Sequence, residues 1–537
     1  MLPKFLRVEN LGEKMISLVE AVGGKKSSSV FYAAQNTRYF IATRLKKFFL
    51  YVASDRLGAR EAHRILSDYA DGEVVLIPEK DELLLNIAIA SQESLAERMA
   101  ALGKIIGGEA AGAVISAEGL TQYFPDPVTV SEATICLKSG MAISQEEIIE
   151  KLVTGGYRKE DVVSDNGDFA KRGDILDIFP TGEDMPIRLE FFGDEIEKIR
   201  VFAPETMISV KEVDRATIYP KSDILISPNQ AKSILKMLQA ERKYAEGRLE
   251  EIFDENIFRL ETNPNDPALI WALPFFYEHM SNIVEYLRED AVIVLDEPSI
   301  IDDKVKLIVN SHYTRVKAFV EEGEVTAEHK KSLIAKETVV EILKKRTLLS
   351  FQNVTSGNTI FEPDYLVNIK APSVPKYSLN YELLSENVRG NLEFGTRVMI
   401  FAGTKESAAY LKDFFLNNEL KAVVDESLES DFNLVIYPYF IARGFSFPEA
   451  KLVVIGTDDV IRRSETKNKS LKKKRERFIM PEVGDYVVHD VHGIGISEGL
   501  IRMETRSGIN DYYVIKYKDE DRLYLPVSRM DELERYN

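Results

Sequence analysis

Short apolar runs and amphipathic stretches alternate along the chain almost from its start. "SVFYAA", "FFLYVAS" and "EVVLIP" have the length and branched or aromatic content of buried strands. Between them "GAREAHRILSDYA" repeats its apolar positions at helical spacing, and "AVISAEGL" closes the set. Strands separated by helices predict a parallel, doubly wound sheet. The style changes near Gly119. "TICLKSG" leads to Ser144-Gln145-Glu146-Glu147, a capping box ahead of "IIEKLV", and Gly155-Gly156 ends that helix. "DFAKRGDILDIFP" and "MPIRLEFFGDEIEKIRVF" then alternate with period two, with Gly193-Asp194 as the hairpin turn between the last two strands. This pattern predicts a small α+β module inserted into a larger domain.

A charged helical run follows from about Asn229 to Glu251, and "AVIVLDEP" returns to buried-strand character. Residues 303–345 read as long helices. From about Arg346 to Asp459, "RVMIFAG", "ESAAYLKDFFLNN", "FNLVIYP" and "KLVVIG" again alternate strand and helix. Arg462 to Arg477, "RRSETKNKSLKKKRER", holds nine basic and two acidic side chains, cannot bury a core, and reads as a mobile linker. The last stretch is strand-rich, with turns at "HGIG", "RSGIN" and "KDED", and its size suits a small β-barrel. The expected layout is a parallel-sheet α/β domain over 1–118 and 219–345, the inserted module at 119–218, and a second α/β domain at 346–460. A linker at 461–480 and a β-domain at 481–537 complete it. No repeat at solenoid spacing is visible.

Composition narrows the class. At 537 residues there is room for three or four domains, and 45% apolar with 29% charged residues describes a soluble globular protein. No apolar run is long enough to span a bilayer, and "MLPKFLRVENLGEK" lacks the apolar block of a secretory signal. The single cysteine, Cys136, excludes a disulfide within the chain and a multi-thiolate zinc site, which fits a cytoplasmic setting. A net charge of −18 argues against broad DNA binding and suits protein partners, leaving room for a local basic patch.

One stretch raises the question of nucleotide chemistry. "AVIVLDEP" is a strand ending in Asp296 and Glu297, the arrangement that holds Mg²⁺ beside phosphates in nucleotide-driven motors. Such a strand needs a phosphate loop: glycine amides, a lysine, and a Ser/Thr on the metal. The nearest approach, Gly23-Gly24-Lys25-Lys26-Ser27, has lysine in place of the Ser/Thr and Val19 in place of the leading glycine. It also precedes a strand instead of following one. After "SVFY" the chain reads "AAQNTRYFIATRLKK", with no glycine. Asp296 and Glu297 are therefore expected to be a vestige, with no nucleotide to serve. His489 and His492 form an H-x-x-H without a nearby cysteine and read as structural turn histidines; no metal site is expected. No carboxylate pair is marked for acid–base catalysis.

At "GDFAKRGDILDIFPTGEDMPIRLEFFGDEIEKIRVFAPET", Gly167 to Thr206, the sequence resembles the excision-repair helicase subunit UvrB and, more closely, the transcription-repair coupling factors. "GFSFPEAKLVVIGTDD" is similar to the segment just ahead of the polymerase-interaction domain in the coupling factors. "GDYVVHDVHGIG…YYVIKYKDEDRLYLPVSRMDELERY" is similar to that domain itself, shared with CarD-type regulators and lacking in UvrB. The resemblance covers essentially the whole chain. It implies a UvrB-like module that keeps a degenerate P-loop-NTPase fold without its phosphate loop. It further implies a UvrA-binding insert, and a small SH3/Tudor-like barrel at the end. ATP, Mg²⁺ and most DNA contact belong, in the family, to a translocase module beyond the polymerase-interaction domain, so the chain is expected to be a fragment with no cofactor of its own.

Two binding faces follow. In "PIRLEFFGD", Ile187, Leu189 and Phe191 point one way and Arg188, Glu190 and Phe192 the other. Phe192 beside arginine on a charged face has the makings of an interface hot spot; the competing reading packs it on the helix at 145–154. The resemblance selects Arg172, Arg188 and Phe192, with Glu190 as a neighbour, for UvrA. It also marks Ala170 as a departure, since UvrB carries an arginine there, which implies weaker binding. In "GLIRMETRSGINDYYVIKY", Ile501 and Met503 share one face of a strand and Arg502 lies on the other. They either fill the barrel core or meet a partner strand, and the resemblance implies the β subunit of RNA polymerase, with Met503 at the apolar contact position. The basic run at 462–477 reads as a solvated tether, against the alternative of DNA contact. Together these readings describe an adaptor without chemistry of its own, linking stalled RNA polymerase to UvrA. The rivals are a UvrB-like ATPase or helicase and a CarD-like regulator.

Overall fold

The computed structural model describes residues 3–80, 83–84, 92–204, 206–353, 360–461, 486–489, 493–505, 508–516, 522–526 and 533–535. The linker at 462–480 and His492 lie outside the described residues. The chain forms two compact units, Met1–Arg462 and Arg463–Asn537.

In the first unit the strands are β1 (Ser28–Ala33), β2 (Phe49–Ala53), β3 (Glu73–Leu76) and β4 (Ala110–Ser116). They alternate with helices Gln35–Thr43, Arg56–Tyr69 and Gln92–Gly107. Every residue of β2 is buried, as expected for a strand covered on both faces. The antiparallel module follows: β5 (Ile135–Lys138), β6 (Arg158–Lys159), β7 (Asp168–Arg172), β8 (Ile175–Ile178), β9 (Ile187–Phe192), β10 (Glu195–Phe202), β11 (Ser209–Val213) and β12 (Arg215–Ile218). Its helix, Gln145–Thr154, starts where the Ser144 hydroxyl accepts from the Glu147 amide, 3.1 Å. Beyond a pair of helices, Pro228–Arg242 and Arg248–Thr262, come β13 (Val292–Asp296), the helix Pro298–Glu321, β14 (Thr347–Gln352) and β15 (Tyr365–Ala371).

The large sheet has seven strands in the order β15-β1-β14-β13-β2-β4-β3, parallel throughout. This corrects the boundary expected at 346. β14 and β15 flank β1, in register Ser28↔Leu349 and Ser28↔Tyr365, and the Ser29 and Ser350 hydroxyls meet at 2.6 Å. A strand pattern states that residues will pair, not with which neighbour, so the sequence alone does not assign these two strands to the large sheet. The start expected at 119 also moves. Leu120, Phe124 and Val130 pack in the core of the parallel sheet, and the module core begins at Ile135.

The second α/β sheet comprises β16 (Arg397–Phe401), β17 (Val423–Val424), β18 (Leu434–Tyr437), β19 (Phe445–Phe447) and β20 (Leu452–Ile455). Its order is β17-β18-β16-β20-β19, with only β19 antiparallel. It shares one apolar core with the large sheet, in which Phe40 stacks on Phe445 at 4.0 Å. The second unit is an antiparallel sheet of β21 (Tyr486–His489), β22 (Gly493–Thr505), β23 (Gly508–Lys516), β24 (Arg522–Pro526) and β25 (Leu533–Arg535), in the order β24-β23-β22-β21-β25.

Candidate binding faces and a filled carboxyl edge

In a parallel sheet ligands bind outside the carboxyl ends of the strands, here beyond β1, β14 and β13. Asp296 ends β13, and Glu297 follows it in a left-handed conformation, φ 58°, opening the helix Pro298–Glu321. Their partner is Arg38, on the helix that follows β1, the position where a phosphate loop would lead into its helix. Arg38 Nη1 lies 2.6 Å from Asp296 Oδ1 and Nη2 lies 2.8 Å from Glu297 Oε1, while Nε donates to the Ala33 carbonyl at 2.8 Å. Gln35 donates to the other oxygen of Asp296, and the Asn353 amide donates to Glu297 Oε1 at 3.0 Å. Arg38 is 1% exposed. Burial alone would lower its pKa, but the two carboxylates outweigh it and the net shift is upward. Burial also raises the Tyr51 phenol beneath, with Asp296 adding to it. The carboxylates thus face an internal guanidinium. Among the described residues no group of three or more His, Cys, Asp or Glu side chains could hold a metal ion.

The module builds a second surface. Its six-stranded sheet runs β11-β10-β9-β8-β7-β6, and one face packs Phe169, Leu176, Ile178, Ile187, Leu189, Phe191, Ile196 and Ile199 on the helix Gln145–Thr154. The opposite face carries the charged set. Phe192, beside the Gly193-Asp194 turn, is 82% exposed, so it does not pack on that helix. Arg172, at the end of β7, is exposed, and its guanidinium donates to the Asp161 carbonyl at 3.0 Å. Arg188 behaves differently. It grips the buried Asp177 with two hydrogen bonds, 2.7 and 2.8 Å, and its guanidinium lies 4.7 Å from the centre of the Phe202 ring. The bonds to Asp177 raise its pKa. Glu190 pairs with Arg200 at 3.0 Å, and Arg200 also reaches Glu212 at 3.8 Å. Ala170 is buried against Val163 and Phe179.

The third place is β22. Ile501, Arg502 and Met503 pair with Tyr512, Asp511 and Asn510 of β23. On the other side of β22 the ladder to β21 runs from Gly493 to Ile496, and among the described residues no strand pairs with Ile501–Met503 there. Sequence reasoning did not single out Arg38, Gln35, Asp177, Arg200 or Phe202. A basic residue early in the helix after β1 was the available signal for Arg38; Asp177 carried none, because its partner lies on another strand. Also unforeseen is a buried ionic knot in which Lys80 contacts Asp223 at 2.5 Å and Arg98 approaches it at 3.6 Å. Arg98 also donates to the Pro78 and Tyr123 carbonyls, so that through Asp223 the knot ties the chain leaving the module to the segment after β3.

Comparison with known proteins yields two family models: the UvrB interaction domain over residues 135–223 and the CarD-like/TRCF RID domain over residues 482–537. The chain is similar to the transcription-repair-coupling factor of Bacillus subtilis (strain 168), 26% identical over 483 residues, covering 87% of this chain and 41% of the relative. It is 25% identical over 513 residues to that of Staphylococcus haemolyticus (strain JCSC1435), covering 91% of this chain and 43% of the relative. The chain thus spans about two fifths of the length of the curated relatives it matches.

Proposed function

We propose that this chain, a relative of the transcription-repair-coupling factors, is the adaptor part of such a factor, joining RNA polymerase to UvrA of nucleotide excision repair. The observation that carries the reading is the presence on one chain of a UvrB interaction domain and a CarD-like/TRCF RID domain. The antiparallel module presents Phe192, Arg172 and the Glu190 neighbourhood to UvrA, and Arg188 holds that face in shape. The second unit, read as a small SH3/Tudor-like barrel, offers the side of β22 away from β23 at Ile501–Met503, where no strand pairs among the described residues, to the β subunit of RNA polymerase, strand against strand. The large sheet is read as a degenerate P-loop-NTPase fold whose carboxyl edge is filled by Arg38, so the chain performs no hydrolysis. Guanidinium and Mg-phosphate are alternatives for the same two carboxylates. On this reading ATP, Mg²⁺ and translocation on DNA belong to the part of the longer factor outside this chain, and the setting is the cytoplasm.

The test is capture by purified UvrA of the intact chain and of the Arg172→Ala and Phe192→Ala variants, each checked for unchanged circular dichroism. Capture is expected to fall with both; Phe192, as an exposed aromatic anchor, is expected to cost at least about 2 kcal/mol. Unchanged capture by both variants would remove the assignment. A calorimetric titration with Mg·ATP is expected to be silent, and specific heat of binding would restore the ATPase reading.

A further inference from the structure

Large apolar side chains are exposed at both ends of the open part of the module sheet. Phe192 marks one end. At the other, Ile208 is 66% and Val210 57% exposed. Val210 sits in an irregularity of β11: Val201 pairs with Lys211 but Phe202 pairs with Ser209, so two residues oppose one and the strand bulges. β11 is the last strand of its sheet among the described residues, and an edge strand that bears exposed Val210, with exposed Ile208 just ahead of it, is a template for association.

The two ends are connected. Register pairs Asp177↔Arg188, Arg188↔Arg200 and Arg200↔Glu212 run in one row across β8, β9, β10 and β11. Arg188 and Arg200 are like charges directly opposite each other, neutralised by Asp177, Glu190 and Glu212. Because Asp177 is buried and Arg188 is spread over Phe202, this row is held rigid, and a partner meets it without ordering it first. From Glu195, opposite Phe192, to Val201, opposite Lys211, β10 extends about 20 Å at a strand's rise per residue. A standard interface buries about 800 Å² on each partner, wide enough to cover both ends.

We propose that the UvrA-binding surface does not stop at Phe192 but continues along β10 to a second apolar anchor formed by Ile208 and Val210. This rests on the reading of the module as a UvrA-binding domain and extends it to residues that the resemblance does not select. The partner surface it fits has two apolar patches separated by a strip of both charge signs.

The experiment measures capture of the whole chain by purified UvrA, comparing Ile208→Asp, Val210→Asp and the milder Val210→Ser with the unaltered chain and with Phe192→Ala. Thermal melts verify that each variant is folded; the exposure of both sites leaves little packing to lose, and Val210→Ser serves if an aspartate unsettles the edge. The expected result is affinity reduced about tenfold or more by each aspartate, with a smaller loss for the serine, at unchanged melting temperature. Normal affinity in all three, with Phe192→Ala impaired, overturns this inference and leaves the partner assignment standing. No capture of the unaltered chain sinks both. If Val210→Asp instead abolishes self-association of the chain and leaves UvrA capture intact, the edge pairs copies of this chain and the inference is equally overturned.

Discussion

His329 shows how a single side chain is committed by its surroundings. Its Nδ1 faces the Thr326 amide, 3.2 Å, and so accepts, which leaves Nε2 to donate to the Trp271 carbonyl at 3.0 Å. The ring is fully buried, and burial depresses its pKa to about 4, with neighbouring His312 adding a small repulsion. In the unfolded chain the same ring takes up its proton near pH 6.5. Between those values the unfolded state binds more protons, so stability is full above pH 6.5 and is lost as pH falls toward 4, by about 3 kcal/mol for this residue. Nuclear resonance of the His329 ring is expected to show no titration above pH 5; a midpoint above 6 would contradict the assignment. Arg38 and Arg188 show the same logic with permanent charges. Each is an arginine that spends hydrogen-bond donors on carboxylates inside the fold. The resemblance selects Arg188 as a UvrA contact, and the structure places its guanidinium on Asp177 and over Phe202.

At the scale of elements, the β9–β10 hairpin decides where Phe192 stands. A two-residue loop joins Phe192 to Glu195, and Gly193 takes φ 62° while Asp194 is not among the positive-φ residues, the pattern of a type II′ turn. A residue with a Cβ pays about 1–2 kcal/mol in that region. Gly193→Val is therefore expected to destabilise the chain by that amount in urea unfolding and, on the proposed function, to weaken UvrA capture, because the turn and Phe192 are adjacent. A variant as stable as the parent would refute the turn assignment. The hairpin itself was legible in the sequence, since period-two alternation around Gly-Asp specifies strand, turn and face together. The partners of β14 and β15 were not, because "TLLSFQ" and "YLVNIKA" suit any parallel neighbour and only long-range pairing chooses β1.

Across the first unit, the two α/β sheets are not separate bodies. Helices Gln35–Thr43 and Arg56–Tyr69 contact both, through the Phe40–Phe445 stack, the Tyr69 hydroxyl on the Arg443 carbonyl at 2.6 Å, and the Asp68 carboxylate on the Ala442 amide at 2.7 Å. The helix that follows β1 thus has two tasks: its Arg38 closes the carboxyl edge of one sheet, and its Phe40 anchors the other. Phe445→Ala is expected to cost about 3–5 kcal/mol and to split a single urea transition into two, read by near- and far-ultraviolet circular dichroism. A single transition shifted by less than about 1 kcal/mol would mean that the sheets do not depend on this contact.

Strand or helix character along most segments, the alternation of faces in the module, and the lack of glycine amides after the first strand are all legible in the amino-acid order. These are local properties, readable from periods of two and of 3.6 residues and from the residue types a phosphate loop demands. What fills the space left open, which strands share a sheet, and which charges are paired inside the fold emerge only once the chain is folded. Asp296 and Arg38 are far apart in the chain, as are Ser28 and Leu349, and their pairing follows from register and burial. No local pattern carries that information, because the energy of an ion pair or a strand ladder belongs to the two groups at their final separation and not to either alone.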